Sequence, residues 1–101
     1  MLPKLPKTFE KNLDYAKDAV YDYLEEIQDR RGRIRDVDFE YLKDLFMSKL
    51  RLSRSYRYES VADEIFLNIE WKSLEDLMYY IDTLTIYECQ EIYDLDNQNL
   101  A

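Results

Sequence analysis

From Phe9 to Asp29 the chain runs without glycine or proline, and its apolar and acidic residues segregate (FEKNLDYAKDAVYDYLEEIQD). At about 100° per residue, Phe9, Leu13, Ala16, Val20, Tyr23, Leu24 and Ile27 fall on one side of a helix. Glu10, Asp14, Asp18, Asp22, Glu25 and Asp29 fall on the other. Isolated helices of this kind are marginal in water, and the apolar stripe holds only when something covers it. Whatever else the chain does, it must wrap one long rod.

The flanks of the rod carry punctuation. Pro3 and Pro6 push Leu2 and Leu5 away from helical angles, so residues 1–7 read as an extended lead. Thr8 is the expected N-cap. Arg30 and Arg31 lie in the expected last turn, where cations suit the helix dipole, and Gly32 fits the left-handed position that ends it. The first helix is therefore predicted over about 8–31. A second, opened by Asp36 or Asp38, is predicted over about 37–52, with Phe39, Leu42, Leu45, Phe46 and Leu50 at helical spacing. Residues 53–59 have no stripe and read equally as loop or short edge strand. A third helix is expected over about 60–70, with Ser60 and Asp63 as an approximate capping box. Val61, Ile65, Phe66 and Ile69 form its inner face. Ser73 and Asp76 open a fourth over about 73–94, striped by Leu74, Leu77, Met78, Ile81 and Leu84. In unbroken register Glu88 would enter that stripe, so a kink is expected near 83–85, with Thr85 and Glu88 capping a new segment. Ile86, Cys89 and Tyr93 then face the core or a partner, and 96–101 reads as a frayed tail.

These readings make an all-α, single-domain bundle of four helices spanning 1–101, or five if the last breaks. Composition agrees. One Gly and two Pro in 101 residues are too few for an all-β fold with many hairpins. A hydrophobic share of 47% with 15 aromatic residues is enough to build a core. No stretch approaches the roughly 20 apolar residues of a membrane span, and MLPKLPKTFEKN lacks the apolar run of a signal peptide. With Cys89 as the only cysteine, no internal disulfide forms. The expected setting is cytoplasmic.

Several chemistries are disfavoured. Histidine is absent, which removes Ser-His and Cys-His pairs and His-ligated metals. A single glycine cannot build a phosphate loop. Glu88 and Glu91 beside Cys89 oppose a thiolate. Asp94, Asp96 and Gln98 match the start of an EF-hand loop, but Asn99 stands where its turn glycine belongs. Paired carboxylates sit on solvent-facing helix stripes, outside any evident cleft. The expectation is a protein that is not an enzyme, with no cofactor and no metal.

Charge is uneven. Residues 1–29 have a net charge of −3, residues 30–57 of +5, and residues 58–101 of −10, with Lys72 the lone cation of that last third. The whole chain at −8 is a poor general nucleic-acid binder. Asp14, Asp18 and Asp22 recur every four residues, about 6 Å apart on a helix, close to the spacing of successive phosphates along a strand. Only Lys11 joins them, so few ion pairs relieve their repulsion. Tyr15 and Tyr21 border the row, and ten tyrosines exceed what so small a core needs; Tyr56, Tyr58 and Tyr87 have no evident buried place. Exposed tyrosines offer rigid contact area at low entropy cost.

The sequence thus predicts a non-catalytic acidic protein that occupies a basic surface of a partner, with a nucleic-acid-handling protein as the natural target. In size and charge it is similar to phage or mobile-element inhibitors (anti-CRISPR-like or DNA-mimic-like), a similarity of composition without a shared motif. The partner-binding residues expected are Asp14, Tyr15, Asp18, Tyr21, Asp22, Glu25, Glu75, Asp76 and Asp82. One alternative is a self-assembling structural or regulatory protein, with Arg30, Arg31, Arg33 and Arg35 docking on the acidic C-terminal third of a second copy. A weaker one is a helix-turn-helix regulator using residues 60–81, whose would-be reading helix opens with Ser73, Glu75 and Asp76.

Overall fold

Helix α1 (Lys7–Asp29) is the rod of the opening stripe, burying Phe9, Leu13, Ala16, Val20, Leu24 and Ile27. A computed structural model describes residues 4–52 and 57–98. After α1 come α2 (Phe39–Leu50), α3 (Glu59–Ala62), α4 (Leu74–Thr83) and α5 (Ile86–Gln98). A 3-10 turn (Ile34–Asp36) precedes α2, and a π-helical turn (Asp63–Leu67) continues α3. Among the described residues there is no strand, so the all-α expectation holds. Its count of four is corrected to five.

The fifth helix arises where the register conflict lies. Leu84 leaves α4 in an extended conformation and drops into the core, 1% exposed. The Thr85 hydroxyl oxygen then accepts from the Glu88 N–H at 3.2 Å and starts α5. The break turns Cys89 and Tyr93 inward while Glu88 stays out of the core. α5 runs to Gln98, so residues 96–98 of the expected tail are helical; residues 99–101 lie outside the described residues.

Other boundaries move for local reasons. Extended Pro6 begins α1, its carbonyl accepting from Phe9 and Glu10 at 3.0 and 3.3 Å, so Thr8 is a helical residue and no cap. At the other end Arg30 is the C-cap and Arg31, not Gly32, takes the left-handed conformation (φ 59°). Gly32 N–H bonds to the Ile27 carbonyl at 2.8 Å and Arg31 N–H to that of Gln28 at 3.0 Å, the paired bonds of a Schellman ending. Asp38 caps α2, its carboxylate accepting from Tyr41 N–H at 3.0 Å. Ser60 caps nothing: α3 starts at Glu59, and the Ser60 hydroxyl is buried without a partner among the described residues. In the π turn Asn68 N–H reaches back five residues to the Asp63 carbonyl at 2.9 Å. The helix ends with this turn at Leu67, and Ile69, in the bend that follows, is 42% exposed instead of inward. The Trp71 indole closes the turn, donating to the Ile65 carbonyl at 2.8 Å. The loop-or-strand reading of 53–59 falls largely on residues 53–56, outside the described residues; Glu59 is helical.

α2 and α4 both pack on α1, while the π turn packs on α2 and α3 on α5. Phe66, Phe46, Phe9, Tyr58 and Tyr93 touch in series through the middle, with successive ring centroids 5.5–6.5 Å apart. Such tilted and edge-on contacts favour aromatic pairs. Tyr58 is therefore half-buried against the core, where no place for it was evident; Tyr56 is outside the described residues. Lys43 of α2 ties this side down through Asp63 at 2.8 Å and Glu59 at 3.5 Å.

Candidate functional site

The two flanks of α1 meet different neighbours, which divides the row of aspartates. Towards α4, Asp14, Asp18 and Tyr21 line a groove of about 130 Å³ with Ile81 and Asp82. Lys17 lines it too, but its ammonium points at backbone, donating to the carbonyls of Leu84 at 2.7 Å and Asp82 at 3.1 Å. These acceptors end α4, where a helix leaves carbonyls without intrahelical donors. The cation nearest the carboxylates thus serves as a helix cap. Asp14, Asp18 and Asp82 are exposed, and among the described residues ion pairs occur only at Lys43. Three carboxylates and a tyrosine share one face without a countercharge in contact.

Towards α2 the picture changes. Tyr15 and Asp22 line a groove of about 580 Å³ with Lys11, Asn12 and Ala19, and α2 and its end add Lys49 and Arg51. The expected unbroken ridge, relieved by Lys11 alone, is corrected here: its Asp22 end lies beside three cations. Tyr15 is 66% exposed. Glu25 is exposed and lines neither groove. Glu75 and Asp76 are exposed in the first turn of α4, where Ser73 accepts from Asp76 N–H at 3.1 Å. Acidic residues there are explained by the helix dipole alone. Tyr79, about one turn before Asp82 on α4, is 71% exposed. The capping role of Lys17 and the approach of Lys49 and Arg51 left no signal in the sequence, because both depend on where other helices end.

Cys89 is fully buried, and burial followed by the charge of Glu88 pushes its thiol up to about 12. Among the described residues no cluster of three Asp, Glu or Cys could hold a metal ion. The exposed carboxylates stand in water and present charge.

Arg30, Arg31, Arg33 and Arg35 form an exposed basic turn after α1. The Arg30 Nε donates to the Glu26 carbonyl at 3.2 Å, and Arg33 N–H to the Asp36 carboxylate at 2.7 Å. Within 60–81, α4 packs chiefly on α1 and the π turn on α2. Among the described residues, no helix is long and apolar enough to cross a membrane. No protein-family model matches this chain, and neither does any curated protein or solved structure.

Proposed function

We propose that this protein is a non-catalytic acidic binder whose α1–α4 face occupies a basic surface of a partner protein. The observation that supports it is the convergence of Asp14, Asp18 and Asp82 around Tyr21 while Lys17 is held on backbone carbonyls. Mutually repelling carboxylates cost stability, and a cationic partner offsets that cost on binding. A nucleic-acid-handling protein is the target the geometry fits best, because its groove already matches negative charges at short, regular intervals. An inhibitor of such a machine, of the kind phages and mobile elements make, would act by covering that groove.

The test is capture from native-host lysate at rising salt. The partner is expected to bind at low ionic strength and to elute as salt screens the face. Asp14→Lys with Asp18→Lys should abolish capture without changing helicity; unchanged capture would refute the assignment. A second reading, self-assembly, is favoured by the exposed arginine turn, whose side chains form no ion pair among the described residues. It requires a solution mass at a multiple of 12.4 kDa, and a monomer at high micromolar concentration removes it.

A further inference from the structure

We infer a second docking site, independent of the acidic α1–α4 face: a groove between the segment after the π turn, α4 and α5 that receives a basic amphipathic helix of another protein. The groove holds about 320 Å³ and is lined by Glu64, Ile69, Tyr80, Ile92, Leu95 and Asp96. Seven large hydrophobic residues are exposed among the described residues, four of them tyrosines that keep a hydroxyl in water. The other three are Leu67 (37% exposed), Ile69 (42%) and Leu95 (64%). Ile69 and Leu95 line this groove, and Leu67 lies two residues before Ile69. A lone exposed leucine means little. Exposed aliphatic residues gathered at one concave place, rimmed by polar groups, mark a recognition surface.

The π turn is what builds it. It ends the helix at Leu67, which leaves Ile69 outside the core in the bend that follows, and the Trp71–Ile65 bond holds that segment in place. A straight α-helix through 59–70 would have buried Ile69 on the inner face.

The charges at the rim select the occupant. Glu64 and Asp96 line the same groove as Ile69 and Leu95, and residues 58–101 carry a net −10. A second copy presenting this same face would set Glu64 and Asp96 against their own equivalents. An acidic or neutral helix would gain only its apolar contacts. A helix with leucine-like anchors one turn apart, flanked by lysine or arginine, satisfies both floor and rim.

Trp71 is the only tryptophan, and its ring lies 5.2 Å from that of Tyr80, so its emission reports on the groove. The probes are three synthetic peptides: an amphipathic Lys/Leu helix, a Lys/Leu peptide of equal composition scrambled to have no apolar face, and an amphipathic Glu/Leu helix. The ordered Lys/Leu peptide should change Trp71 emission saturably and bind at least roughly tenfold more tightly than the other two. Ile69→Lys with Leu95→Lys should weaken it by at least roughly tenfold, whereas Asp14→Lys with Asp18→Lys should leave it unchanged. Leu95→Ser alone should also weaken it, and serves if the double variant does not fold. The inference is overturned if the scrambled peptide binds equally, if no peptide binds, or if the groove variants have no effect. It is equally overturned if sedimentation shows a dimer that those variants dissociate, since a second copy then covers the groove.

Discussion

Arg31 and Gly32 show how much one side chain decides at a helix end. The sequence announces a stop here, and Gly32 is the obvious residue for the left-handed position. The structure puts Arg31 there instead, because Gly32 is needed one place later. A methyl group on Gly32 would lie 2.5 Å from Ile27 Cγ2 and 3.0 Å from the Ile27 carbonyl oxygen, against a core side chain and fixed backbone. No pattern of residue types distinguishes a glycine kept for its φ from one kept for close approach; only the packed neighbour does. Gly32→Ala should therefore destabilise by about 1–3 kcal/mol through overpacking. Arg31→Gly should stabilise, by up to about 1 kcal/mol, since the left-handed conformation penalises a side chain. Thermal unfolding followed by circular dichroism separates them, at about 4–8 °C per kcal/mol for a domain this size. Opposite signs are required. If Arg31→Gly destabilises and Gly32→Ala does not, glycine's role at this ending has been assigned to the wrong residue.

At the scale of elements, the stripes of α1 and α4 were legible because their apolar residues recur at the helical period; on α2 Leu42, Phe46 and Leu50 are buried as spaced, but Phe39 and Leu45 are half-buried and Met47 turns inward. The interruptions were legible only in part. The break before α5 announced itself as a carboxylate about to enter a stripe; the π turn did not, since Val61, Ile65, Phe66 and Ile69 fit an unbroken α-helix equally well. Least legible were contacts in which one helix completes another. Asn12 donates to the Leu50 carbonyl at 2.8 Å, ending α2, as Lys17 does for α4. α1 therefore organises the bundle twice, through its stripe and through polar side chains that stop its neighbours. Lys17→Met keeps the aliphatic stem and removes the donors, so it should cost about 1–2 kcal/mol, the partly exposed position lowering the worth of a charged hydrogen bond. It also deletes the cation lining the acidic groove. A lower melting temperature together with tighter capture of a basic partner is the expected pair of outcomes. Unchanged stability would mean that the carbonyls of Asp82 and Leu84 are served as well by water.

For the whole molecule, the asymmetry of charge was visible from the first count of residues, and so was the exposure of Asp14, Asp18 and Asp82. What no linear reading supplies is which cations fold back beside which carboxylates; the division of the aspartates between an acidic and a mixed groove comes from the packing of α2 and α4 on α1. The same packing fixes how the molecule responds to base. Burial pushes the Cys89 thiol and the Tyr80 phenol each up to about 12, with Glu88 adding to both. Burial also raises Tyr93, and the bond to Asp63 raises Lys43. All four groups hold their protons more tightly folded than unfolded. Between the ordinary range of each group and its raised value the unfolded chain binds fewer protons, so stability falls as pH rises. The thiol, ordinarily near 9, acts first, and the tyrosines and lysine join from about 10 upward. The melting temperature should therefore begin to drop near pH 9 and steepen beyond 10. Cys89→Ala should lower stability at neutral pH through the small cavity it leaves, yet flatten the decline between pH 9 and 10. A wild-type melting temperature that stays level to pH 10.5, or a variant with the same early slope, would show that the buried thiol does not control the alkaline limit.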